Sequence, residues 1–248
     1  MRYIDEEKLK SVLRLGFSNS RPFPWSAEIG FLREEAFNIL CANMPDIALF
    51  EHDFGMGRKF GEKPHERFRL WYHKIKPGKL PKPWQEFIAE LNSPEYLDFI
   101  SHAYDVKDFY LRLEWHYTPT GATVHPHLDG YTTYGAHLFY FNPSEYWRPE
   151  WGGATQVLEG KRKFELYDHP DFDDFKIVGE ASCIGNASLM FKNSAESWHA
   201  VDTLKAPENV YRRLFTVFIS KPEPGFLVRV YQKLKSLLKR IVSFVNFK

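Results

Sequence analysis

From Phe109 onward the chain is written in short β-prone runs divided by Pro, Gly and Asn, and this rhythm limits the possible folds more than any other feature. The runs are Tyr110–Tyr117, Thr123–His127, Ala136–Phe141, Thr155–Leu158, Phe164–Tyr167, Ser188–Phe191 and Arg212–Ile219. Strands at this spacing fit a sandwich or jelly roll better than alternating β-α units. The residues before them behave differently. Glu7–Leu15 and Ala27–Asn43 carry apolar residues at helical spacing, and Pro83–Leu91 sets Trp84, Phe87, Ile88 and Leu91 on one face. Ser93-Pro94 is an N-cap followed by proline at the first helical position, opening a helix over Glu95–His102. The expected class is α+β, mainly β: residues 1–107 form a mostly helical part packed on a β core at 108–221, all in one domain. The segment 54–64 (FGMGRKFGEKP), rich in Gly and basic residues, is expected to lie as a loop over a site.

A third part begins after Lys221-Pro-Glu-Pro-Gly225. Residues 222–248 are expected to hold a basic amphipathic helix, with Leu227, Val230, Tyr231, Leu234, Leu237, Leu238, Ile241 and Val245 opposite Lys and Arg. Such a segment can lie on an anionic membrane surface or pack on the protein itself. The whole chain has 33 basic and 32 acidic residues, a formal charge of +1, so no electrostatic bias points to nucleic acid. Its 2 cysteines are too few for a disulfide framework or a thiolate zinc site. No stretch of about 18 apolar residues occurs, and the opening residues lack a signal-peptide core, so a cytoplasmic location with at most peripheral membrane contact is expected.

Within the β zone, Thr123-Val-His-Pro-His-Leu-Asp-Gly130 sets His127 and Asp129 two residues apart. On a strand, residues i and i+2 share a face, so an imidazole and a carboxylate at this spacing can grip one ion from one side. His125 offers an alternative His-x-His pair. Asp129 is preferred because a carboxylate on a buried β face needs a partner such as a metal. His199, in Ser197-Trp-His-Ala-Val201, follows a β-prone run and is the candidate third ligand. Two His and one carboxylate with open positions is the arrangement of non-haem iron(II) sites. His169-Pro170-Asp171 has the same spacing, but its proline and the acidic run around it point to a solvated loop.

Residues 108–221 resemble the prolyl-hydroxylase-like branch of the 2-oxoglutarate/iron(II) oxygenase superfamily. Tyr117-Thr-Pro-Thr-Gly121 leads to His127 as the family's Tyr-Pro-Gly-like turn leads to its first ligand. Leu138-Phe-Tyr-Phe-Asn142 matches the strand ending Tyr-Leu-Asn, and Trp151-Gly-Gly153 the Gly-Gly pair; Arg212-Arg-Leu-Phe-Thr216 matches the arginine strand after the distal histidine. The resemblance implies a double-stranded β-helix (jelly-roll, cupin-like) core, Fe(II), 2-oxoglutarate as cosubstrate, O2, and hydroxylation with release of succinate and CO2. It implies Arg212 as anchor of the cosubstrate's distal carboxylate, with Tyr140, Tyr117, Thr216 and Leu138 around the cosubstrate. An arginine can hold a carboxylate bidentately, and strand alternation puts Arg212, Leu214 and Thr216 on one face. Asp129 at the carboxylate position implies hydroxylation and not halogenation. No catalytic side chain beyond the metal ligands is implied. The interval of 69 residues between Asp129 and His199 departs from protein prolyl hydroxylases. The expected substrate is a small or biosynthetic molecule (sugar, lipid-linked or amino-acid-derived). A prolyl residue of a peptide or protein is the alternative, and a metal-binding β-helix protein without 2-oxoglutarate the second. Trp147, Trp151 and His125 are the candidate substrate contacts.

Overall fold

The structure, a computed structural model, describes all residues except 16, 54–62, 64, 165–167, 169 and 223–248. The expected loop over 54–64, the strand over 164–167, His169 and the C-terminal helix therefore lie wholly or mainly outside the described residues. Among the described residues no helix is long and apolar enough to cross a membrane.

Four helices, α1 (Glu6–Leu15), α2 (Glu34–Ala42), α3 (Lys82–Leu91) and α4 (Pro94–Tyr104), precede most of the sheet. The strands are β1 (Trp25–Ile29), β2 (Glu51–His52), β3 (Phe68–Trp71), β4 (Tyr110–Thr118), β5 (Val124–His127), β6 (Thr133–Tyr140), β7 (Thr155–Gly160), β8 (Phe175–Ala181), β9 (Ala187–Lys192), β10 (His199–Val201) and β11 (Arg212–Ser220). They form a large sheet in the order β1-β9-β6-β11-β4-β3-β2 and a small one in the order β5-β10-β7-β8. All the pairings between named strands are antiparallel. This is the α+β, mainly β jelly roll that the strand rhythm predicts.

Helices α3 and α4 form where their caps and apolar spacing place them; the Ser93 hydroxyl accepts from the Tyr96 N–H at the start of α4. On α3, Trp84 is fully buried, its ring centroid 5.1 Å from Trp115, 5.0 Å from Phe141 and 5.2 Å from Phe215. These contacts pin the helix to the outer face of the large sheet, and truncating such a residue to Ala costs about 3–5 kcal/mol. The inner face of the same sheet is therefore left to the small sheet and the space between them. One expectation is corrected: residues 27–33 are not the first turns of α2. Trp25–Ile29 is a strand that pairs with β9, and Gly30 at φ +71° turns the chain before α2 starts at Glu34. The N-terminal part thus gives the large sheet three strands, β1 on one edge and β2 and β3 on the other.

Candidate metal centre

The small sheet brings the three candidate ligands together. His127 ends β5 and His199 begins β10, and they are direct register partners. Their ring centroids are 4.1 Å apart. Asp129 lies two residues past β5, with its Oδ1 4.0 Å from His127 Nε2. One ligand atom from each of His127, Asp129 and His199 lies within 4.8 Å of the others, a grouping that can hold one metal ion. Both imidazoles are oriented for it. His127 Nδ1 donates to the His125 carbonyl and His199 Nδ1 to the Ser197 carbonyl, each at 2.9 Å, so the basic nitrogen of each ring is Nε2. Asn193 ties the two ligand loops together: its side-chain amide donates to the carbonyls of Asp129 (3.2 Å) and Gly130 (3.0 Å), and its oxygen accepts from the Ser197 hydroxyl (3.0 Å).

From these residues a pocket with about 520 Å³ of empty space runs between the sheets, open to solvent. Arg212, Leu214, Thr216 and Phe218 of β11 line it, as strand alternation predicts, with Leu138 of β6. Arg212 is 2 % exposed. Its Nε donates to the Gly153 carbonyl at 2.6 Å and one terminal nitrogen to Thr155 Oγ1 at 2.8 Å. Two of its five N–H groups are thereby used. Among the described residues no carboxylate lies within ion-pair distance of it. The Thr216 hydroxyl, also on the pocket wall, has no hydrogen-bond partner among them. A buried cation and a buried hydroxyl left open on one pocket wall fit a bound anion, because leaving both unmatched costs several kcal/mol. The donor set therefore fits iron(II) at one end of the pocket and a diacid at the other.

Tyr140 sits behind this anchor. Its hydroxyl shares a 2.7 Å hydrogen bond with Thr155 Oγ1, and the Arg212 guanidinium lies 5.2 Å from its ring centroid. Burial pushes the phenol up, so it stays protonated. Gly153 makes the approach possible: at φ +95°, a Cβ there would meet Cys183 Sγ at 2.9 Å and Arg212 Cδ at 3.2 Å.

Four expected contacts fall elsewhere. Tyr117 points to the opposite face of β4, where its hydroxyl donates to the Pro45 carbonyl at 2.8 Å; its chain neighbours His116 and Thr118 face the pocket instead. Trp147 is 3 % exposed, with Nε1 donating to the Gly152 carbonyl at 3.0 Å, and Trp151 packs edge-on against it at 5.6 Å. These tryptophans prop the Gly152-Gly153 turn and do not line the pocket. His125 is turned away by an irregularity in register between β5 and β10, which aligns Val124 with Val201 and His127 with His199. Its Nδ1 lies 3.6 Å from Asp171 Oδ1.

Sequence reasoning missed Thr155, His116, Arg67 and His65. His65 is buried with its ring centroid 4.2 Å from that of His127. Glu114 and His116 form a buried pair, His116 Nε2 lying 3.0 Å from Glu114 Oε1. Burial and the Arg67 guanidinium push His116 down to about 4, against the pull of Glu114. Burial pushes the Glu114 carboxyl up, but His116, Arg67 and Arg112 outweigh it and hold that group at about 2.

No family model and no curated protein sequence matches the chain. Among solved structures it is similar to a prolyl-4-hydroxylase from Pseudomonas putida, with 16% identity and a TM-score of 0.58 over 85% of this chain and 99% of that one. A prolyl hydroxylase from Trichoplax adhaerens, in complex with a hypoxia inducible factor oxygen degradation domain peptide fragment, aligns at 13% identity and a TM-score of 0.59 over 87% and 91% of the two chains. A prolyl 4-hydroxylase from Phytophthora capsici aligns at 15% identity and a TM-score of 0.55 over 90% and 67%. The chain has the fold of these prolyl hydroxylases.

Proposed function

We propose that the chain is an Fe(II)- and 2-oxoglutarate-dependent hydroxylase. One observation carries the reading: buried Arg212, with no carboxylate within ion-pair distance among the described residues, lines the same pocket as His127, Asp129 and His199. When bound, iron(II) with 2-oxoglutarate and O2 supplies an oxidation that hydroxylates a C–H bond and releases succinate and CO2. The chain's own residues position the reactants. His127, Asp129 and His199 would hold the ion. Arg212 takes the distal carboxylate of 2-oxoglutarate, and the Thr216 hydroxyl lies on the same wall to donate to it. Tyr140 and Thr155 keep the guanidinium in place, while Leu138 and Leu214 exclude water from the diacid's chain.

The acceptor is a small biosynthetic molecule or a prolyl residue of a peptide. The peptide reading is favoured by the solved Trichoplax adhaerens enzyme, which shares this fold and holds a peptide. Anaerobic addition of Fe(II) and 2-oxoglutarate should produce a visible charge-transfer band, and admission of O2 should yield succinate. Arg212→Ala should keep metal binding and lose 2-oxoglutarate turnover by at least a hundredfold. Unchanged turnover in that variant would remove the cosubstrate assignment, and absence of the band in the parent protein would remove the enzyme reading altogether.

A further inference from the structure

The two ligand imidazoles lean on rings that lie outside the ligand set. The Phe191 ring centroid is 4.7 Å from that of His199, and the His65 centroid is 4.2 Å from that of His127, at an interplanar angle of 72°. With His127 and His199 4.1 Å apart, the contacts run unbroken through His65, His127, His199 and Phe191. The inner pair belongs to the small sheet. Phe191 comes from β9, near one edge of the large sheet, and His65 lies just ahead of β3, near the other edge. Phe191 is part of the pocket wall, whereas the hydroxylase reading gives His65 no role although it is only 4 % exposed.

His127 is the ligand that needs outside support. β10, which carries His199, is paired with a strand on each side. β5, which carries His127, has four residues and ends the order of its sheet. The χ2 torsion of a histidine is broad, so the plane of a ligand imidazole is set by its neighbours and not by its own rotamer preference. The Nδ1 bond to the His125 carbonyl ties the His127 ring only to its own strand. His65 ties it to the other sheet, through β3 and its ladder with β4. The same stretch of chain stays at the centre, since Arg67 lines the pocket together with Asp129. His65 is not itself a member of the group whose ligand atoms meet within 4.8 Å, which is His127, Asp129 and His199.

We propose that His65 is a positioning residue of the metal centre: its ring, packed edge-on against His127, holds that imidazole in the plane the ion requires, so that metal binding and docking of residues 65–67 stabilise each other. This role rests on the metal centre of the hydroxylase reading and not on 2-oxoglutarate.

Calorimetric titration of Mn(II) into the full chain, without 2-oxoglutarate, tests it. His65→Ala should weaken binding about tenfold, the lower end of what partners of metal ligands contribute. His65→Phe, which keeps a ring and loses both nitrogens, should recover most of that loss, and His65→Asn, polar but without a ring, should not. Co(II) in place of Mn(II) adds a spectroscopic reading: its visible bands follow the orientation of the ligands, and should shift in His65→Ala and return in His65→Phe. Coupling is reciprocal, so saturating Mn(II) should slow hydrogen exchange of the locally opening amides at 65–67 in the parent chain by the factor of affinity that His65→Ala loses. Thermal melts establish that each variant is folded, and the exchange measurement on the parent decides if His65→Ala is not. Binding indifferent to His65→Ala, an equal loss in His65→Phe, or exchange at 65–67 untouched by Mn(II) would overturn the proposal. No saturable Mn(II) binding by the parent would remove the metal centre and the role of His65 with it. Missing succinate with these effects intact would remove the hydroxylase reading and leave that role standing.

Discussion

His127 and His199 stand directly opposite each other in the β5–β10 ladder, so the two imidazoles meet although most of the β core separates them in sequence. Opposed strand residues keep their side chains within about 5.5 Å, close enough for one ion. Adding Fe(II), or Mn(II) in its place, should raise the melting temperature, and a chelator should reverse it. At a hundredfold excess over its dissociation constant a ligand adds about 2.7 kcal/mol. His199→Ala should abolish the shift; persistence of the full shift in that variant would place the ion elsewhere.

Asn193 should act on the metal without touching it. It holds the Asp129 and Gly130 carbonyls and, through Ser197, the loop that orients His199. Partners of this sort typically affect affinity by 10- to 100-fold. Metal titration of Asn193→Ala should show a loss of about that size, with all three ligands retained.

Gly153→Ala places a methyl group against Cys183 and Arg212 at a positive φ. A stability loss of about 1–3 kcal/mol is expected from the strain. Because the Gly153 carbonyl holds Arg212, the KM for 2-oxoglutarate should rise more than the KM for iron. Equal effects on both would argue against the anchor.

Two tyrosines separate structure from function. Tyr140→Phe removes a hydroxyl from the Arg212 and Thr155 network and should raise the KM for 2-oxoglutarate several-fold. Tyr117→Phe removes only the bond to Pro45, and should cost about 1 kcal/mol in a urea melt while leaving that KM unchanged.

Acid should unfold the chain through its buried imidazoles. Burial pushes His137 down to about 3, where it accepts from or donates to the Tyr96 hydroxyl at 2.9 Å, and His116 is held at about 4. A histidine depressed in the fold contributes stability that is complete above its unfolded value of about 6.5 and is lost as pH falls toward the folded value. His137 alone should cost about 2–3 kcal/mol between neutral pH and pH 4.5. Urea midpoints should therefore fall across this window, and His137→Phe should flatten the decline. Unaltered acid sensitivity in that variant would contradict the assignment.

The parts legible in the sequence were those encoded by local spacing. Capping at Ser93-Pro94, the apolar face of α3, the β-prone runs within the described residues and the alternation that turns Arg212, Leu214 and Thr216 to one side all depend on near neighbours, and all appear in the fold. The helical spacing through Ala27–Ile29 was overridden because β9 offers that segment a strand partner. Nothing near Tyr117 in sequence says which face of β4 meets the pocket; that follows from β3 and β11 pairing on its two sides and α3 covering its back.

Local spacing in the chain was enough to mark His127, Asp129 and His199 as metal-binding candidates and Arg212 as an acid-binding one. It took pairing between distant strands to bring His199 to His127, to turn His125 away through a register shift, and to set Arg212 on the wall of the same pocket. The reason is physical: periodicity fixes direction relative to a residue's own strand, whereas proximity across sheets is set by pairing register, which is chosen by burial of the whole core.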